Sequence, residues 1–70
     1  MTTLHYVVGD ERHDVEVPGD GELTVIAPPH DFALMRAGAL DPVVAFMQGR
    51  IKITGDMAAL YDLLPTIPLP

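Results

Sequence analysis

Arg50-Ile51-Lys52-Ile53-Thr54-Gly55-Asp56-Met57 alternates polar and apolar side chains up to Thr54, then breaks at a glycine followed by an aspartate. Alternation marks a half-buried strand, because successive side chains leave a strand on opposite faces. Ile51 and Ile53 therefore share one face, and Arg50, Lys52 and Thr54 the other. Gly55 permits a tight reversal, and the Asp56 carboxylate can accept hydrogen bonds from the first amides of a helix. That helix is predicted over Met57–Leu64, and Pro65 stops it. Upstream, Asp41 and Pro42 open another short helix that runs through Met47 and ends at Gly49. One strand is thus bracketed by two helices.

The first half reads differently. Leu4–Val8 is rich in aromatic and β-branched residues, Gly9-Asp10-Glu11-Arg12 is a polar turn, and Asp14–Val17 alternates. These predict an antiparallel hairpin. Pro18-Gly19-Asp20-Gly21 is the next turn and Glu22–Ala27 a third strand, which suggests a meander. Pro28-Pro29 closes the sheet run, and Asp31 reads as the cap of a helix over Phe32–Ala37 that stops at Gly38. The expected fold class is α+β: an antiparallel sheet of about four strands with short helices on one face, forming a single domain over residues 1–70.

Composition bounds the function. A domain of 70 residues buries only about 60% of the surface its unfolded chain exposes, so a ligand or a second copy is a natural supplement. The sequence holds no cysteine and no serine, which removes disulfides, thiolate metal sites and serine triads. Ten acids against four bases leave a net charge of −6, a poor partner for nucleic acid. No apolar run reaches the roughly 18 residues of a membrane span, and Met1-Thr2-Thr3-Leu4-His5 does not resemble a secretion signal. A cytoplasmic location is expected. Arginine outnumbers lysine, and alanine and proline are common, which hints at a GC-rich bacterial genome.

The stretch Asp41–Leu60 resembles the sterol carrier protein type 2 family (the SCP2 sterol-binding domain). Phe46-Met47-Gln48-Gly49 matches the family's helix ending in Phe-Met-x-Gly. Arg50–Thr54 matches its alternating strand, and Gly55-Asp56-Met57 its turn into an Ala/Leu-rich helix. Asp31–Gly38 is similar to the family's preceding helix, so the resemblance covers residues 22–64. It implies an α+β fold with a lipid tunnel between sheet and helices. In the family a long amphipathic helix precedes the first strand, whereas here the first strand comes at once; a homodimer is expected to supply the missing cover.

The expected function is non-enzymatic binding or carriage of a hydrophobic molecule, whether fatty acyl, sterol-like or polyketide-like. Candidate ligand-binding residues are Phe32, Met35, Phe46, Met47, Ile51, Ile53, Met57, Leu60, Tyr61 and Leu64. Methionine in particular adapts to irregular apolar cavities. The same residues also read as an ordinary packed core. No catalytic residue, metal ligand or cofactor is expected. His5 is placed on the face of the first strand opposite Leu4 and Tyr6, while His13 and His30 are placed in solvated turns. Asp10, Glu11, Asp14, Glu16, Asp20 and Glu22 read as a solvated acidic face. Two alternatives stay open: a structural or dimerisation module without a ligand, and a small cyclase or isomerase that holds a hydrophobic intermediate in a reactive shape.

Overall fold

A computed structural model describes residues 1–70 as β1 (Thr2–Val8), β2 (Glu11–Val17), β3 (Gly21–Ala27), α1 (Pro29–Arg36), α2 (Pro42–Met47), β4 (Lys52–Gly55) and α3 (Met57–Leu63). The four strands form one sheet in the order β2-β1-β3-β4. The class is α+β, as the sequence predicts, but the sheet is mixed. β1 pairs antiparallel with β2, β3 antiparallel with β4, and β1 parallel with β3.

The predicted meander is therefore corrected. Thr2 faces Val17 on one side and Gly21 on the other, so the link Pro18–Asp20 passes beneath the start of β1. Two strand spacings are about 10 Å, and the four Cα steps from Val17 to Gly21 can extend to about 13 Å. Residue content accounts for the choice. β1 places Leu4, Tyr6 and Val8 on the helix side, all almost fully buried. β2 offers only the half-buried His13, Val15 and Val17 there, with exposed Arg12, Asp14 and Glu16 opposite. A strand so charged suits a sheet edge, and β1 suits the centre.

The core lies between the sheet and the helices. Leu4, Tyr6, Val8, Leu23, Val25, Ala27 and Ile53 form its sheet side, and Phe32, Met35, Ala45, Ala59 and Leu60 come from the helices. Each large side chain buried this way contributes about 1.5–3 kcal/mol. Phe32 anchors α1: its ring lies 5.9 Å from that of Tyr6 and 5.8 Å from that of His13, and the Arg36 guanidinium sits 5.7 Å from it on cation–π terms.

Asp41 caps α2 through Val43 and Val44, and Asp56 caps α3 through Ala58 and Ala59, as predicted. Asp31 does not cap α1. That helix begins earlier because Pro28 is extended and Pro29 takes the first position, where a missing N–H costs nothing. His13 lies in β2, stacked on Phe32, and not in a turn; His30 lies in the first turn of α1.

Candidate functional site

On the helix side, the predicted ligand set divides. Phe32, Met35, Ile51, Ile53 and Leu60 are buried and meet in one cluster. Phe46 and Leu64 are half-buried against it. Met47, Met57 and Tyr61 stand in solvent, at 79%, 43% and 71% exposure.

The chain beyond α3 completes this layer. Ile67 enters the core, Leu69 packs against it, and the Tyr6 hydroxyl donates to the Pro68 carbonyl. Residues 65–70 thus form a strap across the apolar layer. Burial pushes the Tyr6 hydroxyl up to about 12, which keeps it protonated and able to donate. The sequence offers the Tyr6 hydroxyl as a donor to a ligand oxygen or to water or a backbone carbonyl, and the Pro68 carbonyl takes it; Ile67 and Leu69 are absent from the predicted ligand set. A signal was present, since Ile67 and Leu69 alternate with prolines in an extended segment whose prolines cannot join a helix.

The opposite face of the sheet carries no helix. It shows three rows across the strands: Glu16–Thr3–Glu22, Asp14–His5–Thr24–Thr54 and Arg12–Val7–Ile26–Lys52. His5 sits between two carboxylates, with Asp14 2.8 Å from Nδ1 and Glu22 2.8 Å from Nε2. A neutral imidazole donates from one nitrogen only, so this geometry selects the imidazolium. The bonds to Asp14, then Glu22, raise its pKa above 6.5. With both nitrogens engaged, His5 has no free lone pair for a metal or a proton. It acts instead as a clip joining β2, β1 and β3.

Because the folded pKa of His5 is raised, its contribution is full below the unfolded value near 6.5 and is lost as pH rises through the folded value. The melting temperature is expected to fall across that window. His5→Gln should flatten this part of the profile, and an unchanged slope in that variant would remove the clip from the account.

One cavity is present, a shallow open depression of ≈ 480 Å³ at the end of this face, between Val7, Ile26, Pro28, Pro29, Arg50 and Lys52. Of the predicted ligand residues only Ile51 borders it. No group of three or more His, Cys, Asp or Glu side chains is arranged to hold a metal ion.

A mixed sheet, closed on one face by short helices and an apolar strap, defines a small α+β module whose chemistry is apolar contact. The SCP-2 sterol transfer family model matches residues 2–66, and the chain belongs to that family. This places it among proteins of lipid and sterol binding or transfer. No curated protein matches the chain. No helix is long and apolar enough to cross a membrane.

Proposed function

We propose that the protein binds and carries a hydrophobic molecule of the fatty acyl, sterol-like or polyketide-like kind between its sheet and helices, without covalent chemistry. The observation that carries this reading is the strap. Ile67 and Leu69 lie on an apolar layer, tied down by the bond from Tyr6 to Pro68. A segment with one such anchor can exchange with an apolar chain that buries similar surface, at about 0.8 kcal/mol per methylene. Met35, Phe46, Leu60 and Leu64 would then line the entering tail. α1 and α2 span only 8 and 6 residues, well under the length at which a helix holds by itself, so their layer can adjust.

A homodimer is part of the proposal. Val44 and Met47 on α2, with Met57 and Tyr61 on α3, leave apolar surface in water on the helix side, and a second copy would cover it there. Native mass spectrometry tests both points. A dimer that retains mass in the fatty-acid or sterol range supports the reading. Methyl-labelled methionine then locates the ligand. Buried Met35 should respond to added palmitate, whereas a response confined to exposed Met47 and Met57 would place the molecule outside and defeat the proposed site. A clean dimer indifferent to lipid would favour the dimerisation module.

A further inference from the structure

The open face has a feature that lipid carriage under the helices does not use. The chain has only four Lys and Arg side chains against ten acids. Arg36 is committed to the Phe32 ring, and the other three gather at one end of the open face. Arg50 and Lys52 border the depression, and Arg12 continues the row that holds its apolar floor, Val7 and Ile26. Arg50 is shared with Asp31 at 3.7 Å, whereas neither Arg12 nor Lys52 enters an ion pair.

In a chain with an excess of carboxylates, unpaired cations are conspicuous. The acids of this face lie at its other end, where Glu16, Asp14 and Glu22 occupy the first two rows and two of them hold His5. The floor between the cations is apolar. Ile26 is 46% exposed, and Pro28 and Pro29 offer ring faces without amide donors. The volume of ≈ 480 Å³ falls within the range of about 300–1,000 Å³ usual for small-molecule sites.

We propose that this depression binds a compact amphiphilic anion, an organic carboxylate whose hydrocarbon part lies on Val7, Ile26 and the two prolines while its charged end meets Lys52 and Arg50. The depression meets the helix side only at its rim, through Ile51 and Pro29, while its floor is Val7 and Ile26 of the open face, so its occupancy can be read separately from that of the apolar layer around Leu60 and Ile67. Its openness predicts weak, quickly reversible binding. Its charge requirement distinguishes it from the apolar layer, which would take a neutral tail equally well.

The test is an amide NMR titration of the whole chain with sodium octanoate, kept below micelle formation, with octanol as the uncharged comparison. Octanoate is expected to move the resonances of Gly9, Ile26, Gly49 and Lys52 in a saturable way, and octanol to leave them largely in place. Lys52→Glu, an exposed change that should not disturb folding, is expected to weaken octanoate about fivefold or more. Equal shifts from octanol would overturn the proposal, because the cations would then contribute nothing. Shifts confined to Leu60, Ile67 and their neighbours would overturn it while supporting the carrier reading. A response only to vesicles of anionic lipid, with none to octanoate, would also overturn it and make the face a membrane contact.

Discussion

Gly55→Ala is expected to lose about 3–5 kcal/mol, much of the roughly 4–10 kcal/mol available to a chain of this size. Two costs combine. Gly55 has φ 118°, a backbone conformation closed to L side chains, and an added Cβ would run into the Glu22 carbonyl and the Leu23 Cα of β3. The obstacle is sheet backbone and cannot step aside. The displacement would also reach α3, because the neighbouring Asp56 amide donates to that Glu22 carbonyl at 3.0 Å and its carboxylate caps the helix. Gly38→Ala is the matched control. Its φ is 77°, yet nothing lies within 4 Å of the added carbon, so it bears the backbone cost alone, about 1–2 kcal/mol. Urea denaturation of the two variants measures the difference. Equal losses would mean that the close approach to β3 is unimportant.

Ile67→Ala is expected to cost about 2–4 kcal/mol, since Ile67 is only 8% exposed within the core. Its effect on ligand binding should have the opposite sign. If the strap and the ligand compete for one apolar surface, weakening the strap raises the fraction of molecules open to the ligand, and palmitate should bind up to about tenfold tighter. Val25→Ala is the comparison. It removes a side chain only 1% exposed from the centre of the sheet and should lower stability without improving affinity. Affinity that falls in both variants would make Ile67 a wall of the site and not a competitor for it.

Local residue chemistry was legible wherever one residue sets one turn. Asp41-Pro42, Gly49 and Gly55-Asp56 place α2, β4 and α3 within a residue or two of their observed bounds. Strand existence was legible from alternation, but strand partners were not. A three-residue link can join a hairpin or pass beneath a neighbour, and the contrast between the buried side chains of β1 and the charged, half-buried ones of β2 selects the outcome. Asp31 carries a cap-forming side chain, yet the proline two residues earlier already starts α1, so the carboxylate falls inside the first turn. At the site, apolar identity pointed to Phe32, Met35 and Leu60 in the core. It could not separate them from the outward Met47 and Tyr61, because helices of 6 and 7 residues hold too few turns to define a stripe. The contribution of residues 65–70 was hidden by their prolines, which exclude a helix but leave extended packing open.

The passage of Pro18–Asp20 beneath β1 bears on how the chain finds its topology. Once β1 and β2 have paired, both outer edges of that hairpin offer free backbone groups, and β3 is tethered closely enough to reach either. Joining β2 gives a simple three-strand ladder from adjacent segments, the kinetically easier route. The native route requires β3 to swing past the end of its neighbour. Arg12, Asp14 and Glu16 thus have a part in topological choice, since they make the β2 edge a poor place to add an apolar strand. Relieving their charge could therefore yield a sheet of unchanged composition with its strands in the wrong sequence.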